Sequence, residues 1–181
     1  LKPSSMTFEE AACLSHGGNL AVQGLIDFGK IESGQKVLIN GGGGSTGTLA
    51  IQIAKLSDVE VTAVDHTVKL DIMRKLGADH VIDYVTDDFR LQNKKYDIVF
   101  DAVGKLSKKS CKDVLNTQAK YMSVKTPTKE SSVRLEELNK IIEEGKLNTV
   151  IDSTYELTEY AQAHTHTYSG HKVGNVVIKI L

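Results

Sequence analysis

The sequence has 181 residues, of which 40% are hydrophobic and 25% are charged, and its net charge is −1 at pH 7. This composition suits one compact domain with a substantial core. The near-neutral charge offers no basic field for nucleic acid. No apolar run reaches the roughly 20 residues that a membrane-spanning helix needs, so neither nucleic acid nor a membrane is a predicted partner.

The two cysteines, Cys13 and Cys111, lie far apart and show no ligand spacing. We interpret both as free thiols of a reducing compartment, which predicts a cytoplasmic location. The sequence starts at Leu1 and not at methionine, which we interpret as a sign of a fragment or a processed chain.

The first 33 residues are predicted to form leading helices. Thr7 and Glu10 fit a capping box, with Thr7 at the N-cap and the Glu10 side chain bonding back to it. We expect the helix to break at the pair Gly17-Gly18 and to resume from Leu20 to Phe28, before a turn at residues 32–35.

Strand and helix patterns then alternate along the rest of the chain. The predicted strands are Lys36–Asn40, Val59–Val64, His80–Tyr84, Tyr96–Val103, Lys120–Val124, Thr149–Asp152 and Val173–Leu181. The predicted helices are Thr46–Leu56, Lys69–Leu76, Ser107–Leu115, Val133–Glu144 and Leu157–Tyr168. Strands separated by helices predict an α/β fold of the doubly wound Rossmann type, a parallel sheet with helices on both faces.

A run of glycines between the first strand and its helix fits the dinucleotide-binding pattern G-x-G-x-x-G. In this pattern the first glycine permits the tight turn, the second admits a pyrophosphate, and the third allows close helix–strand packing. The helix N-terminus then attracts the phosphates. The predicted binding residues of this loop are Gly42, Gly43, Gly44, Ser45, Thr46 and Gly47.

Asp65, at the end of the second predicted strand, stands where such sites hold a ribose with a carboxylate. The pattern therefore predicts a dinucleotide site. Three alternatives stay open: a glycine-rich turn without a ligand, a methyltransferase-like domain that binds S-adenosylmethionine, and a dinucleotide-binding module without catalytic activity.

Five motifs in order resemble the coenzyme-binding half of medium-chain dehydrogenases/reductases, in the zinc-free quinone oxidoreductase-like branch. They are KPSSMTFEEAACL, KVLINGGGGSTGTLAIQIAK, KLGADHVIDY, YDIVFDAVG and GHKVGNVVIKI. The resemblance implies one Rossmann domain over residues 1–181, without the family's N-terminal catalytic domain. It also implies NAD or NADP as cofactor, hydride transfer to a small quinone or α,β-unsaturated carbonyl substrate, and a homodimer as one arrangement. No catalytic residue is predicted.

The resemblance places further cofactor contacts at strand ends on the carboxyl edge of the sheet. These are Ala102, Val103, Gly104, Ser123, Val124 and Asn175. Val103 and Val124 as core residues, and Asn175 as a strand-edge residue, remain alternative interpretations.

The residues near the predicted adenosine ribose give opposite indications, some for NAD and some for NADP. The Asp65 carboxylate would accept hydrogen bonds from a ribose hydroxyl and repel a 2′-phosphate. Lys69 and Tyr84 match positions that hold a 2′-phosphate in similar quinone oxidoreductases, and a protonated His66 would assist them. Because like charges a few ångströms apart cost several kcal/mol when partly desolvated, the sequence-based preference is for NAD.

Two departures from the family pattern lead to further expectations. The connection after Val124 is short and lacks a helix that the family usually has, so we expect an incomplete sheet edge. Zinc-dependent relatives carry a cysteine ligand where this chain has Gly17, and Cys13 and His16 beside it form no ligand set. The remaining histidines of interest, His164, His166 and His171, are interpreted as solvated, so no zinc site is predicted.

Overall fold

The computed structural model describes residues 2–128 and 131–180. Leu181, the last residue of the predicted final strand, lies outside the described residues. So do Leu1 and the residues Lys129 and Glu130 of the short connection.

Five parallel strands form the main sheet in the order β3-β2-β1-β4-β5. Their bounds are Lys36–Asn40 (β1), Glu60–Asp65 (β2), His80–Asp83 (β3), Tyr96–Asp101 (β4) and Leu115–Ser123 (β5). The strand order reverses beside β1, which pairs with β2 on one side and with β4 on the other. This is the switch point at which open α/β sheets bind ligands, and the predicted Rossmann-type fold is confirmed.

Six α-helices accompany the strands in the described residues. They are Phe8–Ala12 (α1), Ser15–Val22 (α2), Ser45–Lys55 (α3), Leu70–Lys75 (α4), Ser132–Glu143 (α5) and Tyr160–Tyr168 (α6). Thr7 caps α1 in the predicted capping box with Glu10. None of the described helices is long and apolar enough to cross a membrane.

The sheet is buried on both faces, since Val37, Leu38 and Ile39 of β1 are all fully inaccessible to solvent. One face packs against a large apolar cluster to which α2, α3, α4 and α5 contribute. The other face carries a smaller cluster that includes the short 3₁₀ turns Phe89–Leu91 and Lys112–Val114.

The predicted helix break at Gly17-Gly18 is wrong. Helix α2 runs through both glycines and continues as a π-helical segment over Gln23–Phe28. The reason is packing, because a Cβ on Gly18 would lie 2.7 Å from Leu138 Cδ1 and one on Gly24 would lie 2.6 Å from Phe100 Cε2. These glycines let the helix approach α5 and the sheet, and they do not end it.

The predicted helix over Ser107–Leu115 is also wrong. Ser107 and Ser110 bond each other's backbone N–H groups through their side chains, an arrangement that competes with a helix. A single 3₁₀ turn follows, and Leu115 already begins β5.

A separate two-stranded parallel sheet pairs Ile151–Glu156 (β6) with Asn175–Lys179 (β7). It meets the glycine loop through a parallel bridge between Gly44 and Gly174 and a 2.8 Å hydrogen bond from Gly174 N–H to the Gly43 carbonyl. In the main sheet, β5 is the edge strand and carries an irregularity where Leu115 and Lys120 pair with Tyr96 and Ile98. No described strand pairs with its outer side.

Glycines of the N-terminal helices provide a matched stability test. Gly24→Ala is expected to lower the free energy of unfolding by about 1–3 kcal/mol, because the buried Phe100 ring must shift. Gly17→Ala adds a Cβ whose nearest neighbours lie at 3.4 Å. It should therefore be neutral or stabilising by up to about 1 kcal/mol through helix propensity. Urea denaturation measures both, and an equal loss in the two variants would contradict the packing explanation.

Candidate functional site

A cleft of about 880 Å³ opens at the carboxyl ends of β1, β2 and β4. Predicted site residues on its wall are Gly44, Ser45, Thr46, Asp65, Lys69, Tyr84, Ala102 and Val103. Unpredicted residues on its wall include Asn40, Gly41, Arg90, Lys105, Gly170 and Lys172. The loop after β1 and the N-terminus of α3 thus face a cavity of the size that a small-molecule cofactor needs.

The loop glycines have different roles in this wall. A Cβ on Gly47 would lie 2.0 Å from the Gly41 carbonyl oxygen, and one on Gly43 would lie 2.5 Å from Lys69 Cβ. These positions, like Gly42 against Met73, are filled by the protein itself. A Cβ on Gly44 would meet nothing closer than 3.5 Å, so its missing side chain leaves room at the cleft.

Gly44 is the N-cap of α3 and supplies no capping side chain. The N–H groups of the first helical turn therefore need acceptors from a ligand or from water. An anionic group in the cleft would meet both these donors and the positive end of the helix dipole. The uncapped turn and the open space at Gly44 fit the pyrophosphate of a dinucleotide.

Asp65 ends β2 with a buried carboxylate that is 5% exposed. One oxygen accepts the Gly43 N–H at 2.9 Å, and the other accepts the His66 N–H at 2.8 Å. Lys69 Nζ lies 3.3 Å from the carboxylate, in an ion pair that is also buried. Asp65 therefore fixes the glycine loop and has its charge compensated by Lys69.

An aromatic cluster lies at the rim of the cleft beyond Asp65. The rings of His66 and Tyr84 are 5.8 Å apart, and those of His66 and His171 are 4.9 Å apart, both in edge-to-face arrangements. Partial burial, with the charges of Asp65 and Asp83, raises the pKa of the Tyr84 hydroxyl. Tyr84 is 57% exposed, so its hydroxyl can donate a hydrogen bond to a ligand in the cleft.

Asn40 and Asp101 shape the opposite side of the cleft, and neither was predicted from the sequence. The fully buried Asp101 carboxylate accepts the Asn40 amide at 2.8 Å and the N–H groups of Val103 and Leu106 at 3.2 and 2.8 Å. It holds the turn after β4 against Gly41. Asp101 directly follows the apolar run Ile98-Val99-Phe100, and this charged strand end was the sequence signal that could have identified it.

The remaining predicted contacts lie away from the cleft wall. Gly104 takes a left-handed φ of +78° in the turn after β4. Ser123 and Val124 lie at the end of the edge strand β5, where Val124 N–H bonds the Asp101 carbonyl. The side-chain amide of Asn175 donates a hydrogen bond to the Val150 carbonyl at 3.0 Å. Their roles as cofactor contacts stay predictions.

The histidine interpretation is wrong at one position. His166 is only 29% exposed and its Nε2 lies 3.1 Å from the Asp152 carboxylate, while its Nδ1 lies near Ser153 Oγ and Tyr155 Oη. His164, by contrast, stacks on the exposed face of α6 against Tyr168. The difference arises because β6 packs against one side of α6, which the sequence of α6 alone does not reveal.

Comparisons with known proteins show which family the chain belongs to. A family model described as zinc-binding dehydrogenase matches residues 45–167. The chain belongs to this family. It is 33% identical to 2-methylene-furan-3-one reductase of Solanum lycopersicum over 98% of its length, and covers 48% of that protein. It is 34% identical to the chloroplastic NADPH-dependent alkenal/one oxidoreductase of Arabidopsis thaliana, again over 98% of its length and 49% of the relative.

The fold also matches the quinone oxidoreductase of Coxiella burnetii, with a TM-score of 0.84 and 26% identity. That match covers 99% of this chain and 63% of the other. The chain spans about half the length of the curated relatives it matches. These likenesses confirm the predicted family, a zinc-binding dehydrogenase domain of the quinone oxidoreductase-like type.

The family description names zinc, and the described residues give it no ligand set. They contain no group of three or more His, Cys, Asp or Glu side chains that could hold a metal ion. Cys13 is buried, and its thiol donates a hydrogen bond to the Glu9 carbonyl. Burial raises the pKa of this thiol and so disfavours the thiolate that zinc binding needs. Gly17 packs against Ser45 and Leu49. The residues present do not fit zinc, and the prediction of a zinc-free protein stays a prediction.

The buried ion pair gives a testable consequence. Asp65→Asn is expected to lower the free energy of unfolding by roughly 3–5 kcal/mol, because Lys69 keeps a buried charge without a counterion. The matched control is Asp71→Asn, which removes a carboxylate that is 88% exposed and pairs with Arg74. That change should cost less than about 1 kcal/mol. Denaturant titrations of both variants decide, and a loss no larger at Asp65 than at Asp71 would refute the role assigned to the buried pair.

Proposed function

We propose that the chain is the coenzyme-binding part of an NAD(P)H-dependent oxidoreductase that transfers a hydride to quinones or α,β-unsaturated carbonyls. The observation that carries this proposal is the uncapped N-terminus of α3, which faces a cleft with room at Gly44. The names of the relatives, an alkenal/one and a quinone oxidoreductase, support the substrate class. Residues 1–181 would act as one dinucleotide-binding unit, and a cytoplasmic homodimer remains a prediction.

A nicotinamide cofactor would supply the hydride. The chain would bind the cofactor's pyrophosphate with the N–H groups of the first turn of α3 and orient it with the glycine loop. Ala102 and Val103 border the cleft after β4, and their small or apolar side chains would exclude water from the nicotinamide end. Exclusion of water strengthens the electrostatic interactions that a hydride transfer depends on.

Gly44→Val tests the binding mode. The backbone at Gly44 has φ −86° and ψ 179°, a conformation that valine adopts without strain. The variant should fold, since the added Cβ has space. Its branched side chain should obstruct the pyrophosphate and weaken NADH and NADPH binding at least about tenfold, or ~1.4 kcal/mol. Calorimetric titration measures the affinities, and unchanged binding by the folded variant would refute the proposed phosphate site.

For the cofactor, we propose a preference for NADPH, in contrast to the preference for NAD derived from the sequence. That earlier preference treated Asp65 as an uncompensated charge. Its carboxylate is instead buried, bonded to two backbone N–H groups and paired with Lys69. The pair carries no net charge to repel a 2′-phosphate, and the neutral Tyr84 hydroxyl on the cleft wall would donate a hydrogen bond to it. One relative is named as NADPH-dependent.

Tyr84→Phe tests this preference within one protein. The wild type should bind NADPH more tightly than NADH. The variant should lose roughly fivefold in NADPH affinity, about 1 kcal/mol for one hydrogen bond. NADH is the internal control, since it has no 2′-phosphate and its affinity should not change. Tighter binding of NADH by the wild type would instead support the preference derived from the sequence.

A further inference from the structure

We propose that Lys172, from the segment between α6 and β7, binds the pyrophosphate of the dinucleotide together with the N-terminus of α3. This proposal rests on the function proposed above and adds a residue that neither the sequence motifs nor the comparisons assign. It makes the C-terminal segment a part of the cofactor site.

The segment that carries Lys172 is fixed on both sides. Asp152 accepts the Val173 N–H at 3.0 Å, which binds the segment to β6. Gly174 forms the bridge to Gly44 and donates its N–H to the Gly43 carbonyl. A Cβ on Gly174 would lie 2.4 Å from the Val150 carbonyl oxygen, so glycine allows this close contact. Lys172 is thereby held at the wall of the cleft.

The ammonium group of Lys172 is half-buried and bonded to neutral oxygens. Its Nζ donates to Ser45 Oγ at 3.0 Å and to the Gly174 carbonyl. No carboxylate of the described residues forms an ion pair with it, although Asp65 and Asp152 lie near enough to attract it. Burial, followed by repulsion from Lys69, lowers its pKa.

Partial burial costs the Lys172 ammonium group part of its hydration free energy, and no adjacent counterion of the described residues compensates for that cost. Asp65 does not serve, because its carboxylate pairs with Lys69. An anion that enters the cleft would supply the missing charge and form the strong, charge-assisted type of hydrogen bond. The neutral acceptors Ser45 and Gly174 would meanwhile keep the ammonium pointed at the cleft.

The position of Ser45 indicates that Lys172 would contact the pyrophosphate and not a 2′-phosphate. Ser45 is the first residue of α3, and a Rossmann-type fold holds the pyrophosphate at that helix end. Lys172 lies within hydrogen-bond distance of Ser45 Oγ. Lys69, in contrast, forms an ion pair with Asp65 at the ribose end of the site.

The test compares Lys172→Met with the wild type in calorimetric titrations with ADP, NADH and NADPH. Methionine keeps the apolar stem and removes the charge. All three ligands carry the pyrophosphate, so each should bind about tenfold more weakly, a change of ~1.4 kcal/mol. Lys172→Arg should recover most of the affinity. Lys75→Met removes an exposed charge on α4 and should leave every affinity unchanged. Lys172→Gln provides a second uncharged variant, and thermal melts verify folding.

The outcomes separate the two proposals. A wild-type chain that binds none of the three ligands would overturn the proposed function, and the role of Lys172 with it. Wild-type binding that both uncharged variants retain would overturn the role of Lys172 alone. A loss confined to NADPH would assign Lys172 to the 2′-phosphate and contradict the pyrophosphate contact. A common loss for all three ligands with recovery in Lys172→Arg is the result that supports it.

Discussion

The close approach of α3 to the end of β1 is the contact on which the rest of the site depends. Only a hydrogen atom fits between the Gly47 Cα and the Gly41 carbonyl, since a Cβ would lie 2.0 Å from that oxygen. This contact directs the helix N-terminus at the cleft. It also turns Gly44 outward, where Gly44 forms the bridge to Gly174 that links the loop to the β6–β7 sheet.

Asp65 shows how one side chain can serve both the fold and the site. Its carboxylate holds the glycine loop through Gly43 and neutralises Lys69. In doing so it changes from an uncompensated anion into a structural group. The electrostatic character of the ribose end therefore depends on the pairing of two residues and not on the type of either one.

The strands, the glycine loop and the position of Asp65 follow from local patterns, so the sequence was enough to predict them. The errors arose where a residue's role depends on a distant partner. Gly18 looks like a helix breaker until Leu138 is placed against it. No role was predicted for Lys172, because nothing near it in sequence shows that Ser45 is its neighbour. The ion pair of Asp65 with Lys69 depends on the turn between them.

The bridge between Gly44 and Gly174 links the cleft to a part of the molecule with a different local stability. Residues of β6 alternate between half-buried and exposed, whereas the central residues of β1 are fully buried. Local opening of the β6–β7 sheet should therefore cost less than global unfolding. Each such opening would carry Gly174 away and remove one wall of the cleft. A ligand that binds only the closed form would stabilise β7 by mass action, and the amide hydrogens of β7 would then exchange more slowly as the ligand concentration rises.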